Sequence, residues 1–162
     1  MHNIRFHNQT RITVLFSILV SLFFITIVVP IWFINYLSLS GVGHFFIEYR
    51  FYGIFSLVVF IYFIIVGMYY YNIKIDAYVI QISSHRILLD FFRQKNYVDV
   101  PHTMLVDYAF FNRTLSFNRT LMLKLRTNSG RIITKRFNLT LISENEIQKT
   151  SYALDGIIDK NK

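Results

Sequence analysis

Two long uncharged runs dominate the first part of the chain. Residues 12–34 (ITVLFSILVSLFFITIVVPIWFI) and residues 51–71 (FYGIFSLVVFIYFIIVGMYYY) contain no Asp, Glu, Lys or Arg. About 20 apolar residues are enough to cross the hydrocarbon core of a bilayer, and neither run has the polar stripe of a surface helix in a soluble protein. The pattern predicts two transmembrane helices, with the three tyrosines at 69–71 in an interfacial aromatic belt.

A cleaved signal peptide is the alternative interpretation of the first run, with Ser38-Leu39-Ser40 as the cleavage site. The apolar run is longer than the 7–15 residues usual in such a peptide. A membrane helix is therefore favoured over a signal peptide.

The distribution of Lys and Arg predicts the orientation of this hairpin. Two basic residues precede the first run and two follow the second (Arg5, Arg11, Lys74, Arg86), whereas the connecting residues 35–50 carry only Arg50, beside Glu48. Because basic residues favour the cytoplasmic side, both termini are expected in the cytoplasm. We thus predict a multi-pass protein of a bacterial inner membrane, with residues 1–71 forming a short cytoplasmic segment and the helical hairpin, and residues 72–162 a cytoplasmic domain.

The period of the hydrophobic pattern changes to two after residue 72, which is typical of β-strands. Ile73 and Ile75 alternate with polar residues, the apolar set moves to Tyr78, Ile80 and Ile82 after a turn, and Leu121, Leu123 and Leu125 alternate with polar or basic residues. Asn128-Ser129-Gly130 has turn chemistry, and RIITKRFNL (131–139) returns as the second strand of a hairpin. The pattern predicts an all-β domain of about six or seven antiparallel strands.

A helix at residues 143–158 is expected to cover this sheet. Ser143 and Glu146 fit a capping box. Ile147, Leu154, Ile157 and Ile158 then fall on one helical face, and Gly156 is expected to weaken or end the last turn.

Three N-x-T sequences lie in the β-region, at Asn112, Asn118 and Asn138, and the first two repeat as FNRT. The pattern is a glycosylation acceptor in secreted proteins. Because the orientation places this region in the cytoplasm, these asparagines are expected to have structural roles, chiefly in turns.

The layout resembles the bacterial pleckstrin-homology-like (bPH) membrane proteins. The resemblance is carried by YVDVPHTMLVDYAFF (97–111), with Val100-Pro101 leading into spaced apolar residues, and by the hairpin LMLKLRTNSGRIITKRF (121–137). It implies a pleckstrin-homology-like (PH-like) β-barrel or sandwich with a C-terminal helix, and a role in binding or scaffolding.

A second, weaker resemblance is to the two-transmembrane β-barrel effectors of CBASS-type antiphage signalling. This resemblance rests on the same layout, a pair of membrane helices followed by a small cytoplasmic β-domain. It implies binding of a cyclic oligonucleotide, followed by assembly into a homo-oligomer and disruption of the membrane.

No catalytic or metal-binding pattern stands out. The chain has no cysteine, no glycine-rich phosphate loop, and no G-x-S-x-G or H-E-x-x-H motif. His102 with Asp99 and Asp107 is the one conceivable acid–base cluster, and turn polarity explains it more simply. The expectation is a protein that is not an enzyme and uses neither a cofactor nor a metal ion.

Basic residues are the remaining candidates for function. The net charge is +8, and six Lys and Arg residues lie on or near the predicted strands (Arg93, Lys95, Lys124, Arg126, Lys135, Arg136). They are expected to contact an anionic partner, either lipid headgroups, a protein or a phosphorylated ligand. An ordinary solvated face is the alternative. Duplex nucleic acid is disfavoured because there is no recognition helix or basic stripe.

Overall fold

The computed structural model of the protein describes residues 3–36, 50–87, 96–112 and 116–161. The chain divides into two compact units. One comprises residues 13–66, and the other combines residues 1–12 with residues 67–162.

The first unit is helical. Helix α1 (Gln9–Phe23) continues through a π-helical segment (Phe24–Val28) into α2 (Val29–Tyr36), and α3 spans Arg50–Val66. The π-segment ends two residues before Pro30. Proline has no N–H to donate to the preceding turn, so a local change of hydrogen bonding is expected there. Within this unit the Thr26 hydroxyl donates to Ser56 Oγ at 2.7 Å, and the rings of Phe23 and Phe60 stack 4.6 Å apart.

One helix in the described part of the chain, Gln9–Trp32, is long and apolar enough to cross a membrane. The predicted second span, residues 51–71, is wrong in extent, because α3 ends at Val66 after 17 residues. Gly67 leaves the helix with a φ of 79°, and Tyr69 already belongs to a strand. The three tyrosines are therefore part of the β-domain, and Tyr71 is only 3% exposed.

The second unit contains seven strands and one helix. The strands are β1 (Ile4–His7), β2 (Tyr69–Ile75), β3 (Val79–Arg86), β4 (Asn96–Pro101), β5 (Leu105–Asn112), β6 (Asn118–Arg126) and β7 (Ile132–Thr140). Helix α4 spans Glu144–Asn161. Strands β1–β4 form one antiparallel sheet in sequence order, and β5–β7 form another. In the part of the chain that the structure describes, the strands make two sheets and not one closed barrel.

Strand β1 changes the domain boundary. Residues 4–7 were expected to be a segment outside the β-domain, but they pair with β2, with Ile4 opposite Ile75 and Phe6 opposite Ile73. The β-domain is consequently discontinuous in sequence, since the apolar helices are inserted between its first and second strands. Four residues give too short a pattern for the two-residue period to be recognised.

The inward faces of the strands form the core as the alternation predicts. Ile73, Ile80, Leu121, Leu123 and Phe137 are fully buried. Leu154 and Ile157 of α4 join the same cluster, so the terminal helix covers the sheets as expected.

Two predicted details of the β-domain differ in the structure, the position of Tyr78 and the end of the terminal helix, and a third, the hairpin turn, agrees. Tyr78 lies in the β2–β3 turn and is 81% exposed, so it does not share the apolar face of Ile80. The helix also continues past Gly156 to Asn161. The predicted hairpin turn is confirmed, with Gly130 at a φ of 80°.

Candidate functional site

Nearly all of the charge belongs to the β-domain. Sixteen of the seventeen Lys and Arg and eight of the nine Asp and Glu lie in it, because only Arg50 and Glu48 fall within residues 13–66. Between Asp107 and Glu144 there are seven Lys and Arg and no acidic residue. Strands β6 and β7 therefore carry basic residues and no acidic ones.

The sheet β5–β7 has one buried and one outer face. Leu121, Leu123 and Leu125 point into the core, so the alternate residues of β6 point outward. We use "outer face" for the outward residues of the three strands: Asp107, Ala109 and Phe111 of β5, Thr120, Met122, Lys124 and Arg126 of β6, and Thr134, Arg136 and Asn138 of β7. In the strand register Phe111 pairs with Thr120, Met122 with Arg136, and Thr120 with Asn138.

The structure brings three of the six predicted basic residues together. Lys124, Arg126 and Arg136 share the outer face, whereas Lys135 follows the opposite parity of β7, that of the buried Phe137. Arg93 and Lys95 lie outside the described residues.

The three outer-face cations are not equivalent. Lys124 Nζ donates to Asp107 Oδ2 at 2.8 Å, and this bond lowers the pKa of Asp107 below its ordinary value. Arg126 and Arg136 are exposed and have no ion pair among the described residues. The charge of Lys124 is thus balanced by Asp107. The positive charge of the outer face that has no ion-pair partner among the described residues comes from Arg126 and Arg136.

Arg136 lies at a groove on the outer face. The groove has a volume of about 450 Å³ and is lined by Asn96, Phe111, Thr120, Met122, Arg136 and Asn138. None of these residues is acidic. The lining combines one guanidinium, two amides and one hydroxyl with the apolar surfaces of Phe111 and Met122, so it suits an anion that carries an apolar or flat portion.

The sequence analysis missed most of this groove. Thr120 and Asn138 were noted only as members of N-x-T patterns, and neither Asn96 nor Phe111 was singled out. The acid-free stretch from 108 to 143 was the signal that could have directed attention to β6 and β7. Asn96 reaches the groove only because β4, which begins at this residue, lies near β7, and no local pattern predicts that contact.

The repeated N-R-T pattern has a structural role at Asn118, which is 1% exposed. Its Nδ2 donates to the backbone oxygen of Gly67 at 2.8 Å, and its Oδ1 accepts from the Thr140 hydroxyl. Thr140 Oγ1 in turn accepts from the backbone N–H of Tyr69 at 2.8 Å. The side chain thus holds the point at which the chain returns from α3. The first pattern extends into residues 113–115, which lie outside the described part.

A second buried asparagine holds the point at which the chain leaves for α1. Asn8 Nδ2 donates to the backbone oxygens of Tyr69 (2.9 Å) and Thr140 (2.8 Å), and Asn8 Oδ1 accepts from the backbone N–H of Tyr71 at 2.8 Å. Asn8 and Asn118 therefore hold, within the β-domain, the backbone on either side of the sequence insertion.

Glu146 adds a charged contact to the same region. Its Oε2 accepts from the Ser143 N–H at 2.9 Å and from the Tyr71 hydroxyl at 3.1 Å, and Arg11 lies 3.2 Å from Oε1. The Ser143 hydroxyl accepts from the Glu146 N–H, which confirms the predicted capping box. Burial raises the pKa of Glu146, but the bonds from Ser143 and Tyr71 and the charge of Arg11 outweigh it, so the pKa lies below the ordinary value. Burial and the nearby Glu146 raise the pKa of Tyr71.

The cluster around His102 is not assembled as an acid–base site. Asp99 accepts from Gln81 and Tyr97, Asp107 accepts from Lys124, and His102 Nε2 is buried without a partner among the described residues. Burial lowers the pKa of His102. Within the described ranges no group of three or more His, Asp or Glu could hold a metal ion.

The fold and site define the class of this protein: an apolar helix long enough to span a membrane, followed in the chain by a β-rich domain of seven antiparallel strands in two sheets with a C-terminal helix. No protein-family model, curated protein or solved structure matches the chain.

Proposed function

We propose that the protein is a membrane-anchored, non-enzymatic binding or assembly module whose basic β-domain contacts an anionic partner, lipid headgroups or a protein. The observation that carries the proposal is the pair of exposed arginines, Arg126 and Arg136, on an outer face whose one described carboxylate is already paired with Lys124. Uncompensated arginines attract anionic surfaces, at roughly 1 kcal/mol per basic residue near an anionic bilayer.

The proposed anchor is a helical hairpin in a bacterial inner membrane, with both termini cytoplasmic. Large apolar side chains of both helices are exposed, including Ile18 and Phe24 on the first and Phe51, Phe55 and Ile65 on the second. An apolar surface of this extent needs a cover, and lipid provides one for both helices. A tilted or locally thinned bilayer accommodates a 17-residue helix.

The bPH resemblance is supported by the content of the β-domain. Sheets of four and three antiparallel strands followed by a C-terminal helix match the six or seven strands and terminal helix that the resemblance implies. The position of β1 before the membrane helices departs from the simple order of hairpin followed by domain. The proposed PH-like module therefore has its anchor inserted between two paired strands.

The second candidate is a CBASS-type effector that binds a cyclic oligonucleotide, assembles into a homo-oligomer and disrupts the membrane. The groove favours it, because Phe111 lines it together with Arg136 and two amide side chains. An aromatic ring can stack on a base and an arginine can pair with a phosphate. A thermal-shift series of the full chain with cyclic oligonucleotides tests this candidate, and an unchanged melting temperature across the series would remove it.

The proposed contact with an anionic bilayer is tested by hydrogen exchange of the full chain in nanodiscs. Protection of residues 118–140 is expected to be higher in discs rich in phosphatidylglycerol than in discs of phosphatidylcholine. The double substitution Arg126→Ala/Arg136→Ala should remove this difference. The matched control is Lys149→Ala/Lys160→Ala, which removes the same charge from exposed positions of α4. Equal protection of the wild type in both discs would contradict lipid contact.

A further inference from the structure

We infer that the groove on the outer face is a binding site for a phosphate ester, with Arg136 as its charge-pairing residue. The inference rests on the proposed function, since it assigns the anionic partner to one site and one chemical class. It also distinguishes Arg136 from Arg126, which shares the outer face but does not line the groove.

Arg136 lies at the groove, where its guanidinium can bind a phosphate. It lies on β7 opposite Met122 and two residues before Asn138, so its side chain emerges on the groove side of the sheet. Among the described residues, no acidic side chain lines the groove and none forms an ion pair with Arg136. A guanidinium offers two parallel donors to two oxygens of one phosphate.

The amide of Asn138 is oriented as a further donor. The Thr120 hydroxyl donates to Asn138 Oδ1 at 3.0 Å, which occupies the amide oxygen and leaves Nδ2–H groups for an acceptor in the groove. Asn96 supplies a second amide on the β4 side. A phosphate ester presents several strong acceptor oxygens, which matches this set of donors better than a single carboxylate does.

The apolar part of the lining indicates that the phosphate is carried by a larger molecule. Phe111 is 48% exposed, and both Phe111 and Met122, the strand partner of Arg136, line the groove. A bare inorganic anion would leave these surfaces in water, whereas an ester with a ring or a glycerol backbone would cover them.

Such an ester can come from a lipid or from a soluble molecule. The Thr120–Asn138 pair is one step along β6 and β7 from the Asn118–Thr140 pair, which holds the backbone of Gly67 and Tyr69. One such step is two residues, roughly 7 Å, so the groove lies close to the backbone of Gly67 and Tyr69 within the β-domain. The groove is also open, so a soluble phosphate ester can enter.

The test is calorimetric titration of the full chain in detergent with two probes, adenosine 5′-monophosphate and a short-chain phosphatidic acid. Inorganic phosphate is the probe without an apolar part and should bind more weakly than either. Arg136→Ala should weaken binding of the better probe by about tenfold or more, since it removes a charge-assisted bidentate contact. Arg136→Lys should retain part of the affinity, and Arg126→Ala, with the same loss of charge on the same face, should change it less than about twofold.

The outcomes separate the inference from the proposed function. Equal losses in Arg136→Ala and Arg126→Ala would overturn the groove as a site and leave a diffuse electrostatic contact intact. If neither probe binds but protection in anionic nanodiscs is retained, the groove is likewise overturned as a site and the diffuse electrostatic contact remains. Loss of both responses would overturn inference and function together. The probe that binds better shows whether the ester comes from a lipid or from a soluble molecule. An unchanged melting temperature of Arg136→Ala shows that this variant is folded.

Discussion

The substitution Asn8→Ala tests the most consequential feature of the fold, the attachment of the N-terminal strand to the β-domain. Asn8 lies between β1 and α1 and is 1% exposed. Its side chain makes three hydrogen bonds of 2.8–2.9 Å to the backbone of β2 and β7. Alanine removes all three and leaves two carbonyl oxygens and one N–H without partners.

The expected loss of stability is about 3 kcal/mol, from three hydrogen bonds at roughly 1 kcal/mol each. Orphaned buried groups would increase this value, and entry of water would reduce it. Asn8→Asp should be more destabilising than Asn8→Ala near neutral pH, because a carboxylate keeps the acceptor for Tyr71 but faces the carbonyl oxygens of Tyr69 and Thr140. Lowering the pH should reduce this excess, since a protonated carboxyl can donate one bond.

Hydrogen exchange of the full chain provides the measurement, read at the paired strands Ile4–His7 and Tyr69–Ile75. Asn8→Ala should lower protection in both strands together. The matched control is Asn3→Ala, an exposed asparagine just before β1, which should leave protection unchanged. If the two variants have the same protection, the attachment of β1 by Asn8 is refuted.

Two further predictions concern the same region. Glu146→Gln should weaken the pH dependence of the unfolding free energy at acid pH. The pKa of Glu146 is lowered in the folded state. The stability that its carboxylate contributes is therefore present above the ordinary carboxyl pKa and is lost as the pH falls through the folded pKa. The difference in unfolding free energy between wild type and variant should therefore shrink towards low pH in urea titrations, and a constant difference would contradict the charged network. Gly67→Ala should destabilise the chain by about 1–2 kcal/mol, because Gly67 has a positive φ. The loss should exceed that of Gly130→Ala, since a Cβ at Gly67 would lie 2.6 Å from Arg86 Nε whereas Gly130 has open space. Equal melting temperatures of the two variants would contradict the crowding at Gly67.

The site was predicted only in part. Lys124 and Arg126 of β6 were recognisable because alternation with buried leucines assigned them to one face. The pairing of Lys124 with Asp107 and the position of Asn96 beside β7 depend on which strands lie next to each other. A linear pattern contains no information on such neighbours beyond a hairpin.

The sequence by itself determined the apolar helices, the strands around the leucine and isoleucine alternation, the β6–β7 turn and the capped terminal helix. These features depend on contacts a few residues apart, so local periodicity, glycine conformation and capping chemistry are sufficient to predict them. Tertiary structure alone decided that residues 4–7 join the sheet, that the second apolar helix stops at Val66, and that Asn8 and Asn118 are buried at the junctions. Residues 4–7, Asn8 and Asn118 bond to segments more than 50 residues away, so their partners are defined only once the chain has folded. The helix stops where the chain turns at Gly67 to enter the sheet at Tyr69.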